Sequence, residues 1–208
     1  MNMNQIQTIE AYNEIADKFY DKIGVLSNYN FTYDYLIKHL KENDHILDLA
    51  CGPAQISKYI KDKINVKITG IDLSREMLNI AAKFIPDGNF IKDSIITYRT
   101  NIQFDLIIIG FGISYLDSEQ TKQCLENCIA MLKNDGYIYI SFMEGNTEGF
   151  EKTSFGENRE FYMYYHEKDR IKRLLKDNKV EITEECTIDY KEQDGRITKD
   201  IILTGAKK

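Results

Sequence analysis

Residues 45–142 alternate between short apolar runs and longer segments with helical periodicity. The apolar runs have the length of buried strands and cover residues 45–50, 66–72, 89–93, 104–110 and 137–142. Helices are predicted between them at residues 54–61, 74–84 and 118–132. An alternation of this kind favours a parallel sheet with helices on both faces, joined by right-handed crossovers.

The regions on either side of this alternation follow other patterns. Two aromatic-rich helices are predicted at residues 6–21 and 33–41. A polar, glycine-bearing loop is predicted at residues 144–158, before an irregular strand at 159–167 and a short helix at 169–177. Two strands, at 180–190 and 196–206, are joined by the turn Gln193-Asp194-Gly195. A connection this short makes the last two strands antiparallel.

The charge balance argues against a nucleic-acid partner. The formal net charge is −6 and the pI is about 5.2, whereas nucleic-acid binders usually carry a basic face that displaces counterions from phosphates. The amino terminus lacks the charged start and apolar block of a signal peptide. No apolar run approaches the ~20 residues of a membrane helix. We therefore expect a cytoplasmic protein.

The four cysteines are not expected to bind a metal. Cys124 and Cys128 lie four positions apart, which invites that interpretation, but they follow one apolar helix face together with Leu125, Ile129 and Leu132. No histidine or acidic pair nearby completes a plausible site. In a reducing compartment the thiols stay free, and we expect these two to pack in the core.

Acidic residues end three successive strands of the predicted sheet. Asp48 precedes Gly52 after the first strand, Asp72 ends the second, and Asp93 ends the third. Ligands of open α/β sheets bind outside the carboxyl ends of the strands. A carboxylate twenty positions beyond Gly52 can accept hydrogen bonds from a ribose diol, and an acceptor after the third strand can bind an exocyclic amine. Taken singly, each acid could also be structural: a helix-facing residue, a cap or an exposed loop residue.

The loop after the first strand distinguishes between two cofactor classes. Only Gly52 is glycine there, with Ala50 before it and Ala54 after it, whereas a pyrophosphate pressed against the backbone needs the glycines of GxGxxG. Asp48 at the loop entrance would repel a pyrophosphate and attract an ammonium group. A nicotinamide-dependent oxidoreductase is therefore the less favoured alternative.

Five motifs, in order, resemble those of the class I S-adenosylmethionine-dependent methyltransferases. ILDLACGPAQIS resembles the first motif, ITGIDLSREML the second-strand motif and NFIKDSI the adenine-binding loop. FDLIIIGFGISYL and MLKNDGYIYISF are similar to the fourth and fifth strands, and AYNEIADKFYDK resembles a helix that caps the cofactor in small-molecule members. The resemblance covers nearly the whole chain. It departs from the family pattern at Ala50 and Ala54, where glycine is preferred.

The resemblance implies a Rossmann-like α/β fold and S-adenosylmethionine as the cofactor. The sheet would have seven mostly parallel strands with an antiparallel strand from the carboxyl-terminal hairpin, helices on both faces and a helical amino-terminal cap. We expect one methyltransferase domain over residues 1–208. Its parts would be a cap (1–42), a cofactor-binding core (43–143), an insert or lid (144–166), and a carboxyl-terminal helix with a strand hairpin (167–208).

Carried over by position, the resemblance also implies the cofactor contacts. The backbone of Ala50, Cys51 and Gly52 would hold the methionine part, with Asp48 near its ammonium, and Asp72 would bind the ribose hydroxyls. The other implied contacts are Leu73 and Met77 on the adenine, Asp93 and Ser94 at its amine, and Gly110 and Phe111 near the sulfur.

The implied reaction is in-line methyl transfer to an oxygen or nitrogen of a small-molecule acceptor. The alternative is a methyltransferase-like protein that binds the cofactor or a partner without turnover. A general base is needed only if the acceptor must lose a proton, and the candidates are His166, Tyr115, Tyr12 and Tyr20. The acceptor pocket is expected from aromatic residues of the amino-terminal helices and from those of the insert, which are Phe155, Phe161, Tyr162, Tyr164 and Tyr165. The same rings could instead only pack the cap onto the sheet.

Overall fold

The computed structural model describes residues 2–23, 27–153, 156, 159–192 and 195–208. In these ranges seven strands form one sheet with the order β3-β2-β1-β4-β5-β9-β8. The strands of this sheet are β1 (His45–Leu49), β2 (Lys67–Asp72), β3 (Asn89–Lys92), β4 (Phe104–Gly110), β5 (Leu132–Met143), β8 (Val180–Lys191) and β9 (Ile197–Lys207). The first five run parallel, and β9 lies antiparallel between β5 and β8. The predicted Rossmann-like sheet with an antiparallel carboxyl-terminal strand is confirmed.

Helices cover both faces of this sheet. The helices of the described residues are α1 (Met3–Ile23), α2 (Asn30–Ile37), α3 (Gln55–Lys61), α4 (Arg75–Phe84), α5 (Ser118–Ala130) and α6 (Lys168–Asp177), and of these α2 to α6 cover the sheet. Strand β4 contributes Ile107 to the core under α5 and α6, and Ile108 to the core under α2, α3 and α4. This alternation places one apolar layer on each side, because successive strand residues point to opposite faces. Cys124 and Cys128 are buried in the first layer, as predicted.

Helix α1 does not cover a face of the sheet. It packs instead on α4 and on a separate two-stranded hairpin, through Ala16 beside Met77 and through Ile15 beside Phe161 and Met163. This position sets α1 across the carboxyl edge of the parallel strands. Among the described residues, none of the helices has the length and apolar character needed to cross a membrane.

The hairpin consists of β6 (Glu148–Lys152) and β7 (Glu160–Tyr164), which pair antiparallel. The prediction of a loop throughout residues 144–158 was therefore wrong for β6. Its residues are half-buried or exposed, with Phe150 among the exposed ones, so the run lacks the apolar signal of a core strand. The strand forms because its backbone finds a partner in β7.

Two element boundaries also differ from the sequence prediction. Helix α2 begins at Asn30, three residues early, where the Thr32 hydroxyl donates to the Tyr29 carbonyl at 2.7 Å. Strand β5 begins at Leu132, before the predicted turn, because the chain passes through a bulge rather than a loop. Asp135 has φ 61° in that bulge, and the pairing with β4 shifts register there.

Candidate active site

A cavity of about 870 Å³ opens at the carboxyl edge of the parallel strands. Residues that follow β1, β2 and β4 line it, together with residues of α1, α2 and β7. Its volume lies towards the upper end of the ~300–1,000 Å³ of small-molecule sites. Ligands of open α/β sheets bind at this position, outside the carboxyl ends of the strands.

The loop after β1 turns sharply under this cavity. Ala50, Gly52 and Ala54 have left-handed backbones, with φ of 56°, 52° and 60°. The Gly52 amide donates to Asp72 Oδ2 at 2.8 Å, which joins the loop to the end of β2. A Cβ built on Gly52 would meet no atom within 4 Å. The loop therefore leaves space at Gly52 where a ligand can approach the backbone closely.

Two carboxylates stand at the ends of the adjacent strands β1 and β2. Asp48 is 2% exposed and accepts the Ser57 hydroxyl at 2.6 Å. Burial, with a smaller contribution from the charge of Asp72, raises the pKa of Asp48 to about 7. Asp72 accepts the amides of Ser74 and Gly52, both at 2.8 Å, yet burial still raises its pKa. Two such carboxylates beside one cavity favour a cationic ligand, because a positive charge restores their ionised form.

The cavity continues past β2 to an apolar end. Leu73, Met77, Ser94 and Ile95 line it there. Asp93 does not line the cavity: its Oδ1 accepts the Ser94 amide at 2.6 Å. Leu73, Met77 and Ser94 therefore belong to the site, whereas Asp93 lies outside the cavity lining.

Beyond β4, Gly110 and Phe111 form the next part of the lining. The Phe111 amide lies 3.0 Å from both the carbonyl and the hydroxyl oxygen of Ser141, and this anchor holds Phe111 at φ 56°. A Cβ on Gly110 would lie 2.6 Å from Ile56 Cδ1. Glycine at this position therefore allows β4 and α3 to approach closely.

Three of the four base candidates line the cavity. The hydroxyls of Tyr12 and Tyr115 are hydrogen-bonded to each other across the gap between α1 and the turn after β4. Burial raises the pKa of Tyr115 to about 12 and that of Tyr12 well above its ordinary value. Both phenols are therefore protonated at neutral pH. Tyr20 also lines the cavity and stacks on Phe84 at 4.4 Å between ring centroids.

His166, the fourth candidate, lies outside the cavity lining. It is 3% exposed, and its Nε2 lies 2.8 Å from the Ile113 carbonyl. Burial lowers the pKa of His166, so the ring is neutral and Nε2 carries the donated proton. This position does not bring the ring to the substrate space.

Of the insert's aromatic residues that were predicted to form the acceptor pocket, some line the cavity and others do not. Tyr162 lines the cavity, while Phe161, also on β7, is fully buried against α1. Tyr164 and Tyr165 lie outside the lining. Phe155 falls outside the described residues.

Asp200 is a cavity residue that the sequence analysis missed. It lies on β9, is 4% exposed, and accepts the Tyr29 hydroxyl on Oδ2 at 2.6 Å. Burial raises the pKa of Asp200 to about 6. The available signal was a single acid in β9, directly before the apolar run Ile201-Ile202-Leu203. Its partner Tyr29 is 171 positions away in sequence, so the pairing itself could not be read from the chain.

Comparison with known proteins agrees with this geometry. A family model described as "Methyltransferase domain" matches residues 46–136. The demethylmenaquinone methyltransferase of Thermotoga maritima is 33% identical over 110 residues, which is 51% of this chain and 47% of that protein. The chain thus matches about half the length of that relative. The ubiquinone/menaquinone biosynthesis C-methyltransferase of Campylobacter jejuni is 28% identical over 175 residues, covering 76% of this chain and 72% of that protein.

A solved structure extends the comparison to the whole fold. The magnesium protoporphyrin IX methyltransferase from Synechocystis PCC 6803, determined with bound S-adenosylmethionine, superposes with a TM-score of 0.75. The alignment covers 100% of this chain and 99% of that one at 13% identity, so it speaks for the fold alone. The match over residues 46–136 and the fold together make this chain similar to the class I S-adenosylmethionine-dependent methyltransferases. The cofactor of the family is S-adenosylmethionine.

Proposed function

We propose that this protein binds S-adenosylmethionine between Asp48 and Asp72 and transfers its methyl group to a small molecule in the same cavity. One observation carries the proposal: two carboxylates with raised pKa flank Gly52, where the backbone is open to a ligand. This arrangement fits a ligand that combines an ammonium, a sulfonium and a ribose diol. The names of the two quinone-related relatives support a small-molecule acceptor.

The cavity residues divide among the parts of the cofactor. Asp48 would hold the ammonium, Asp72 the ribose hydroxyls, and the Ala50–Gly52 backbone the methionine chain. The remaining assignments are Leu73, Met77 and Ser94 for the adenine, and Gly110 and Phe111 for the side that carries the sulfur. We assign no contact to Asp93, because it does not line the cavity.

When bound, S-adenosylmethionine supplies an electrophilic methyl group, so the protein has to bind, align and exclude water. Helix α1 serves the last purpose by crossing the edge of the sheet. The phenols of Tyr12 and Tyr115 keep their protons and join α1 to the turn after β4. We therefore assign them to closure of the site and not to proton removal.

Calorimetric titration with S-adenosylmethionine and S-adenosylhomocysteine tests the cofactor site. We expect Asp72→Asn to weaken binding of both by about tenfold or more, because hydrogen bonds to a charged acceptor are worth about 1.5–3 kcal/mol. The matched control is Asp87→Asn, an acid outside the cavity that pairs with Lys61 at 2.8 Å. Wild-type protein that binds neither ligand, or an Asp72→Asn variant that binds them equally well, would contradict the proposal.

Turnover distinguishes an enzyme from the non-catalytic alternative. We expect S-adenosylhomocysteine to accumulate when the protein is incubated with S-adenosylmethionine and a small-molecule extract. Binding without any accumulation across such extracts would favour a protein that only holds the cofactor.

A further inference from the structure

We infer that the methyl acceptor is an amine whose nitrogen binds Asp200 and whose body packs on the rings of Tyr29, Tyr33 and Phe111. The inference rests on the proposed methyl transfer. It assigns a ligand to the end of the cavity that the cofactor contacts do not reach.

Sheet topology places Asp200 away from the cofactor. Asp200 pairs in register with Met143, the last residue of β5, so it lies at the same edge of the sheet as the rest of the site. The strand order puts four spacings between β2, which carries Asp72, and β9. At ~4.8 Å each, these amount to about 19 Å. The proposed cofactor contacts end at β4, two spacings short of Asp200.

The Asp200 carboxylate has one oxygen available. Tyr29 donates its hydroxyl to Oδ2 at 2.6 Å, and Tyr29 itself is only 7% exposed. Oδ1 has no hydrogen-bond partner among the residues that the structure describes. A buried carboxylate oxygen facing a cavity is expected to accept a proton donor from a ligand.

Aromatic rings line the same cavity as Asp200. The ring of Tyr29 lies edge-on to Phe111, with centroids 5.9 Å apart. Tyr33 packs edge-on against Tyr59 at 5.5 Å, and all four residues line the cavity. Ring faces in a partly dry site attract a cationic nitrogen.

The charges of the lining point to the same ligand class. Among the described lining residues the carboxylates are Asp48, Asp62, Asp72, Glu192 and Asp200. The single basic residue is Lys58, which pairs with Asp62 at 2.5 Å. An anionic acceptor would therefore meet no available cation in this half of the cavity. A neutral hydroxyl would leave the Asp200 charge uncompensated, which is costly when the group is buried.

Asp200 can also take the proton that an ammonium must lose before it reacts. The proton passes from nitrogen to Oδ1, because burial makes the Asp200 carboxylate a stronger base than an exposed one. The nitrogen lone pair then forms the bond to the methyl carbon while the carbon–sulfur bond breaks and its electron pair stays on sulfur. The products are a methylated ammonium and S-adenosylhomocysteine, and Asp200 returns its proton to the solvent.

Three probes of one skeleton test the acceptor class: 2-phenylethylamine, 2-phenylethanol and phenylacetate. Each is titrated into full-length protein saturated with S-adenosylhomocysteine. We expect the amine to bind about tenfold more tightly than the alcohol, as a charged hydrogen bond predicts, and phenylacetate to bind most weakly. In Asp200→Asn the affinity for the amine should fall to within about threefold of the affinity for the alcohol, while the affinity for S-adenosylhomocysteine is unchanged.

Asp87→Asn is the matched control, since Asp87 lies outside the cavity lining and pairs with Lys61. It should keep the amine preference. Normal S-adenosylhomocysteine binding without an amine preference, or with a preference that survives in Asp200→Asn, overturns the inference and leaves the cofactor site standing. A wild-type protein that does not bind S-adenosylhomocysteine overturns the proposed function and the inference together.

Discussion

At the scale of single residues, the unusual feature of the cofactor loop is an alanine where the backbone favours glycine. Ala50 has φ 56°, a conformation that costs an L-residue about 1–2 kcal/mol. Its methyl group occupies the space beside Gly112, where an added Cβ would lie 2.8 Å from the Ala50 Cβ. The side chain missing from Gly112 thus makes room for the one present at Ala50, which is how the loop tolerates this departure from the family pattern.

Exchanging the two positions tests that compensation. We expect Gly112→Ala to destabilise the fold by about 1–3 kcal/mol, as overpacking does. Ala50→Gly alone should change stability little, because relief of backbone strain offsets the lost methyl group. The double variant should recover about 0.5 kcal/mol or more of the loss. The recovery stays partial because Ile109 Cγ2, 3.0 Å from the added Cβ, still clashes. Urea unfolding measures all three variants, and strictly additive effects would contradict a direct contact.

At the scale of elements, one serine connects the cap to the core. Ser74 accepts the Met77 amide at 3.2 Å and so caps α4, and its hydroxyl donates to Asn13 Oδ1 on α1 at 2.6 Å. Helix α1 is also held near its start, where the Gln5 side-chain amide donates to Gln120 Oε1 at 2.8 Å. The closure of α1 over the site therefore depends on a few side-chain hydrogen bonds in addition to apolar packing.

Two alanine variants separate these roles. Asn13→Ala removes only the connection to α1, whereas Ser74→Ala also removes the α4 cap, which is worth about 1 kcal/mol. We expect faster amide hydrogen exchange along α1 in both variants, and faster exchange in the first turn of α4 only in Ser74→Ala. Exchange in β4, at the centre of the sheet, serves as the reference. An α1 that exchanges as in the wild type after Asn13→Ala would show that packing alone closes the site.

The strands also differ in how far the sequence alone predicts them. Strands β1, β2 and β4 carry their own signal, since most of their residues are buried, and they end at Leu49, Asp72 and Gly110. Strand β6 carries none, because its residues stay half-buried or exposed and it pairs with β7 outside the main sheet. Asp200 could not be assigned for a related reason: its environment depends on β9 inserting beside β5, a pairing over 57 residues at Met143.

At the scale of the whole molecule, the described lining of the cavity carries five carboxylates and one basic residue, in keeping with the formal net charge of −6. Asp48 illustrates the consequence for the ligand-free protein. Its pKa is raised from 3.8 to about 7, so the folded state binds more protons than the unfolded state between these values. The Asp48 contribution to stability therefore falls as pH rises through that window, and above about pH 7 the fold carries a buried charge that a cation would relieve.

This linkage predicts how cofactor binding responds to pH. Because a bound ammonium holds Asp48 ionised, binding below about pH 7 must displace its proton, and affinity rises as pH increases. We expect S-adenosylmethionine to bind about five- to tenfold more tightly at about pH 7.5 than at about pH 6. At one fixed ligand concentration the thermal shift should be larger at the higher pH. A ligand at about 100 times its Kd adds about 2.7 kcal/mol, or about 5–10 °C in Tm for a chain of this length. Asp48→Asn should bind more weakly and with little pH dependence, while Asp87→Asn should follow the wild type. A wild-type affinity that stays flat across this range would mean that the cofactor's ammonium does not meet Asp48.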